Sequence, residues 1–185
     1  MTQDELIDLV QLDIPDAPRA SIRDQMQRMA RELCQDANAM VASGIVVVGA
    51  KSGYPQLLVP NDSEPLRILE LMDGQCRLAP GRHYSQPAPG QVMINGNVSN
   101  DTLTGKVACR PKYGTDIPES LLTEHGDTIA NGARWRLLLM PQPWMNPELA
   151  SYYQQSYQAG VVDAQRRHLY GHAKGSASIR LRKFV

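Results

Sequence analysis

The sequence predicts an α+β chain: a helical bundle, built from an N-terminal helix and two C-terminal helices, with an inserted small antiparallel β-domain and an extended C-terminal tail. Apolar residues recur at helical spacing before residue 44 and again after 115. Between those limits lie short aliphatic and β-branched runs separated by turn residues. Beyond Gly171 and Gly175 the period drops to two. The expected organisation is therefore a bundle over 1–44 and 115–172, a β-sandwich-like insert over 45–114 and a tail over 173–185. With 185 residues, 42% of them hydrophobic, the chain can bury one good core.

A short amphipathic opening (Leu6, Leu9, Val10) precedes the first long helix, expected from Pro18 to about Val41. Ile22, Met26, Met29, Leu33, Ala37 and Met40 fall on one of its faces at steps of three and four. Asp16 stands where an N-cap belongs, Pro18 is tolerated in a first turn, and Gly44 follows the end. Candidate strands follow at Ile45 to Val48, Gln56 to Val59, Leu66 to Met72, Gln75 to Leu78, Gln91 to Ile94 and Leu103 to Cys109. Asp73-Gly74 and Asn95-Gly96 suit two-residue hairpin turns, because each tolerates positive φ. Pro80, Gly81, Pro87, Pro89 and Gly90 mark a long irregular crossing.

Asp116-Ile117-Pro118-Glu119 reads as a helix start, after which Leu122, Ile129, Ala133, Leu137 and Met140 recur on one side. Gly126 and Gly132 weaken that helix and are expected where another backbone comes close. Trp144 stands in a corner between Pro143 and Asn146-Pro147-Glu148, an N-cap followed by proline at the first helical position. The final helix then runs from Pro147 to about Tyr170, with Ser156 and Gly160 on one seam and Tyr153, Tyr157, Val161 and Ala164 on another. Trp144, Tyr152, Tyr153, Tyr157 and Gly160 are the candidate subunit-interface residues, since large side chains with a polar tip suit a buried contact. In the tail, Ile179 and Leu181 alternate with Arg180 and Arg182, followed by Lys183 and Phe184, so that a strand would show an apolar row and a basic row, and the segment is expected to dock on a neighbouring protein.

Charge is balanced but separated. Residues 1–16 hold Asp4, Glu5, Asp8, Asp13 and Asp16 with no basic side chain, whereas residues 160–185 hold six bases against Asp163. Each end reads either as a solvated terminus or as a docking surface. No apolar run is long enough for a membrane span and the acidic N-terminus lacks the order of a secretory signal, so a soluble protein made in a cytosol is expected. Cys34, Cys76 and Cys109 read as buried small hydrophobes rather than a disulfide framework.

Chemical motifs are missing. Neither G-x-S-x-G, H-E-x-x-H, a P-loop nor G-x-G-x-x-G is present, so the expectation is no enzyme, no cofactor and no catalytic residue. His168 and His172 have one-turn spacing, but Gly171 interrupts the helix and no third ligand is near, so no metal is expected. His125 reads as a hydrogen-bonded interior histidine. A basic excess confined to a tail, with Phe184 the one phenylalanine, is not a nucleic-acid reading face.

The stretches ASIRDQMQRMARELCQDA (20–37), RILELMDGQ (67–75), VACRP (107–111), IPESLLTEHGDTIANGARWRLLL (117–139) and PWMNPELASYYQQSYQAG (143–160) together make the chain resemble the head-to-tail adaptor (connector) proteins of tailed bacteriophages, among them the tail tubular proteins of short-tailed phages. The resemblance implies a virion protein at the head-tail junction, present in host cytoplasm during assembly. It implies a homo-oligomeric ring, dodecameric on the portal, that extends the DNA channel. Its partners would be the portal protein, on which the tail would dock, the next tail protein (a nozzle or tail completion protein) and, transiently and without sequence preference, passing DNA; no membrane is involved. The alternative is another tail-completion or oligomeric binding module of the tail.

Overall fold

Thr2 opens the first helix with a reciprocal cap. Its hydroxyl accepts the Glu5 N–H, and the Glu5 carboxylate accepts the Thr2 N–H at 2.9 Å. In the computed structural model, which describes residues 1–50 and 55–171, the helix so started is α1 (Gln3–Asp13). It is joined by α2 (Arg19–Ala37), α3 (Glu119–Leu138) and α4 (Pro147–Tyr170). The opening is thus a fourth member of the bundle, with Leu6, Ile7 and Val10 buried and Leu9, expected among them, 43% exposed.

Asp16 and Asp116 do not cap their helices. Pro18 and Pro118, both with ψ of 136°, are themselves the last extended residues, and neither start has a side-chain cap. Each Asp therefore lies two residues too early to reach the first free amides. Asn146 does cap α4, accepting the Leu149 N–H at 3.1 Å, with Pro147 at the first helical position and Gly171 closing the far end. α2 stops earlier than periodicity suggests, at Asn38, whose left-handed φ of 51° lets its N–H bond the Cys34 carbonyl. Met40 is outside the helix, half-buried against both the helical and the β clusters.

The strands are β1 (Val41–Val48), β2 (Gln56–Leu57), β3 (Ser63–Asp73), β4 (Cys76–Arg77), β5 (Tyr84–Ser85), β6 (Met93–Ile94) and β7 (Thr102–Pro111). Five form an antiparallel sheet in the order β2-β1-β7-β3-β4. The sheet begins at Val41, not residue 45, because αL Asn38 ends the helix early. β3 runs through Pro65, beside a register shift, the sort of place where a missing N–H is tolerated. Gly74, with φ of 61°, turns β3 into β4 as expected. Asn95-Gly96 makes no hairpin: β6 pairs back with β5 within the Pro80–Gly90 crossing region and beyond, Tyr84 opposite Ile94. The chain then reaches β7 through Asn100, whose N–H the Asp73 carboxylate accepts at 3.0 Å. Tyr84 and Val92 join Val47, Leu71, Leu103, Val107 and Cys109 in one apolar cluster, so the β5–β6 region covers the sheet as a partial second layer. Cys34 and Cys109 are buried, and burial pushes the Cys34 thiol up to about 12. Cys76 is exposed on β4, since a two-residue edge strand has no covering layer at that point.

α3 is the centre of the bundle. It touches α1, α2 and α4, with Leu122, Ile129, Ala133 and Leu137 buried and Met140 half-buried at its end. Its glycines admit side chains, not a backbone. A Cβ at Gly132 would lie 2.9 Å from both Met29 Cγ of α2 and Tyr157 Cδ2 of α4, and one at Gly126 would collide with Met1. The β-domain hangs from α2 by a polar joint. Arg31 of α2 and Arg110 of β7 both bind the Glu64 carboxylate of β3, at 2.9 and 3.0 Å, and the Cys109 N–H bonds the Met40 carbonyl at 2.9 Å. Hydrogen bonding from Arg31, then from Arg110, holds the Glu64 carboxyl below its ordinary value of 4.5.

Gly132→Val is expected to destabilise the protein by about 1–3 kcal/mol through overpacking between Met29 and Tyr157, measured by urea unfolding. A depressed carboxyl pKa contributes stability above the unfolded value that is lost as pH falls through the folded one. Glu64→Gln is therefore expected to flatten the decline of thermal stability below pH 4.5 relative to the parent, and equal slopes in the two proteins would show that the joint is not titrating.

Candidate functional site

The corner between α3 and α4 is made by local hydrogen bonds. The Asn146 N–H reaches back to the Leu138 carbonyl at 3.0 Å and the Met145 N–H to that of Gln142 at 2.9 Å. Trp144 is half-buried against the helical core and its indole Nε1–H donates to the Leu137 carbonyl at 3.2 Å, a second donor beside the Met140 N–H at the end of α3. The indole thus serves the fold of its own chain. α4 then runs back along α3, with Tyr153 near Arg134, Gly160 against Thr128, and Asp163 and Arg167 near His125.

Of the candidate interface residues, Tyr157 and Gly160 are occupied within the chain. Tyr157 is 5% exposed, its ring 5.9 Å from that of Trp135, and burial pushes its phenol up. Gly160 has no room for a Cβ, which would meet the Thr128 side chain. Residue type suits both to a neighbouring subunit, but helix-on-helix packing inside the chain occupies them. Tyr153 is half-buried under the Arg134 guanidinium, 5.4 Å from its ring centre. Tyr152 alone of the five is largely solvent-facing, 62% exposed and edge-on to Tyr153 at 5.3 Å. The tail residues Ile179, Arg180, Leu181, Arg182, Lys183 and Phe184 lie outside the described residues, as does His172 of the histidine pair.

The acidic N-terminus is similarly engaged by the chain's own arginines. Asp4 pairs with Arg23 at 3.1 Å, Asp8 with Arg19, and Asp13 with the buried Arg134 at 2.7 Å. That last pair is close, yet the Arg134 Nε–H is not directed at the oxygen and makes no hydrogen bond; Nη1 reaches Asn131 at 3.0 Å and Nη2 the Leu9 carbonyl at 3.5 Å. Exposed apolar side chains that sequence spacing did not disclose lie on both helices that meet Arg134: Leu9 and Leu12 on α1, 43% and 81% exposed, and Leu149 and Tyr152 on α4. The signal on α1 was a leucine at position 12 on the polar flank of an amphipathic helix, off the buried stripe of Leu6, Ile7 and Val10.

His125 is buried on α3 and faces Glu124, 3.8 Å from its Nε2, with Arg167 and Asp163 of α4 close by. Burial pulls its pKa below 6.5. Among the described residues no three His, Cys, Asp or Glu side chains gather as a metal site, and no helix is long and apolar enough to cross a membrane. No protein-family model and no curated protein matches the chain.

Two outcomes follow from these contacts. Trp144→Phe is expected to destabilise the protein by about 1 kcal/mol, the worth of one N–H···O bond, in urea unfolding. For His125 the folded state disfavours the proton, so its contribution is full above pH 6.5 and declines as pH falls below that, where the unfolded chain takes up a proton first. His125→Gln is expected to reduce the loss of melting temperature between neutral pH and pH 5; an unchanged loss would assign the effect to other groups.

Proposed function

We propose that the chain is a structural adaptor of the tailed-phage head-to-tail type, forming a ring between portal and tail. The carrying observation is the outer side of α4. Leu149, Tyr152, Val162, Leu169 and Tyr170 are exposed on the longest helix at 37, 62, 45, 72 and 59%, while its opposite side is fixed to α3 by Ala150, Tyr157 and Ala164. A heterologous ring contact needs two different surfaces on each subunit. The outer side of α4 is suited to be one of the two. The interface role narrows to Tyr152 and its exposed neighbours, with Trp144, Tyr153, Tyr157 and Gly160 holding α4 in place behind them.

The portal protein is the partner on one face and the next tail protein, a nozzle or tail completion protein, on the other; passing DNA is touched only transiently. The protein acts in the virion at the head-tail junction. A long rigid helix with an exposed apolar side serves equally an oligomeric module at another level of the tail, and that is the second reading.

The purified protein is expected to be a monomer by light scattering at micromolar concentration and to form rings when portal is added, seen by electron cryo-microscopy. Tyr152→Asp is expected to leave stability within about 0.5 kcal/mol, as exposed positions do, and to abolish ring formation. Rings from Tyr152→Asp in normal yield would remove α4 as the contact, and failure of the parent to bind any portal would favour the second reading.

A further inference from the structure

The two edges of the five-stranded sheet are finished differently. Along the outer side of β3, β4 pairs at Met72 and Asp73, and the Leu78 N–H continues to the Leu71 carbonyl at 2.9 Å. Further along, the Gln86 side-chain amide takes the place of a strand. Its Oε1 accepts the Ile68 N–H at 2.9 Å and its Nε2 donates to the Leu66 carbonyl at 3.1 Å. Pro65 next to it has no N–H to offer. Devices of this kind keep a second chain from adding to a sheet edge.

The outer side of β1 is left without them. β2 pairs with it at Val47 and Val48, and among the described residues no strand and no side chain meets its outward backbone groups from Val41 to Ile45. The register with β7 shows which groups those are. The Met40 carbonyl accepts the Cys109 N–H, and Ala42 and Gly44 follow at alternate positions opposite Val107 and Gly105. In an antiparallel ladder the bonded residues alternate, so Met40, Ala42 and Gly44 turn their N–H and C=O toward β7, and Val41, Ser43 and Ile45 turn theirs away from it. Val41 and Ser43 are exposed. Between Asp36 and Lys51 the sequence has neither a charged residue nor a proline, so the edge carries no gatekeeper.

We infer that this edge is a pairing surface for a second copy of the chain, β1 of one molecule lying antiparallel to β1 of the other about a two-fold axis at Ser43. The outward residues are symmetric about Ser43. An identical antiparallel strand therefore sets Ser43 opposite Ser43 and Val41 opposite Ile45, and every outward N–H and C=O finds its complement. A strand that faces its own copy brings like charges together wherever it has them near the axis, and β1 has none. The contact is isologous, unlike the heterologous contact of a ring, and neither rests on the other. A short segment buries little area and holds weakly, so the protein is monomeric at micromolar concentration and pairs as concentration rises.

Sedimentation and amide exchange on the full-length protein, from micromolar to millimolar concentration, test the pairing. A reversible monomer–dimer equilibrium is expected. The Ser43 amide is expected to exchange severalfold more slowly at the upper end, while the Ala42 amide, bonded to β7, is protected throughout. Ser43→Lys and Ser43→Glu are each expected to lose the dimer, because like charges then stand opposite one another, and to melt close to the parent, Ser43 being exposed. An equimolar mixture of the two variants is expected to regain the dimer and to lose it again at high ionic strength. Should a charge at this position disturb the sheet, Ser43→Pro removes an N–H that β7 does not use and is expected to lose the dimer with the β1–β7 pairing intact. A parent that stays monomeric at millimolar concentration would overturn the inference. So would a dimer that survives both charged variants, a mixture that stays monomeric, or a dimer in which the Ser43 amide is not slowed.

Discussion

One helix with three helical neighbours is the constraint around which the rest is arranged. α3 has α1, α2 and α4 against it, and axes can come that close only where side chains are small. Gly126, Ala130, Gly132 and Ala133 supply the space, and the neighbours fill it from outside with Met1, Met29 and Tyr157. The larger residues Leu122, Ile129 and Leu137 occupy the remaining directions. Because three sides of α3 are buried, its apolar pattern is broad where that of a surface helix is a stripe. This is also why the buried polar residues His125 and Arg134 lie on it: a helix so surrounded has few positions left in water.

The β-domain depends on the same bundle through α2. Its central strand β7 runs beside α2, and the joint between them is a carboxylate shared by two arginines together with backbone bonding from Cys109 to Met40. Bidentate or shared arginine–carboxylate contacts fix orientation more than they add stability. Within the sheet, Asp73 ties the loop before β7 to the β3–β4 turn, so both hairpin end and crossing loop are held from one carboxylate.

Aromatic residues and charges that sequence reasoning assigned to partners are largely engaged by the chain itself. Tyr157 fills the space that Gly132 opens, Trp144 caps the carbonyl end of α3, and the aspartates of α1 pair with Arg19, Arg23 and Arg134. Among the described residues of these two helices, the large apolar side chains left exposed are Leu9 and Leu12 on α1 and Leu149, Tyr152, Val162, Leu169 and Tyr170 on α4.

The local signals in the sequence were sufficient for whatever depends on a few consecutive residues. The α+β class, the existence of α2, the α4 span, the Asn146-Pro147 start, the Gly171 stop and the Gly74 turn were legible because helical period, cap chemistry and positive φ are encoded in neighbours along the chain. The sequence also marked the tyrosines of α4 as important. Which of them faces outward was decided by tertiary structure, since Tyr152 and Tyr157 differ only in which side of α4 meets α3, and Tyr157 packs where Gly132 of α3 leaves room. The β5–β6 pairing was likewise invisible, two residues per strand being too few for a period, and so was the replacement of Asp16 by Pro18 at the helix start, a matter of one ψ angle. Residue type and spacing therefore determined the elements and the inventory of side chains available for assembly. Long-range packing, which brings Asp13 and the Leu9 carbonyl of α1 to Arg134 and Arg134 to Tyr153 across more than a hundred residues of chain, alone decided which of those side chains the fold buries.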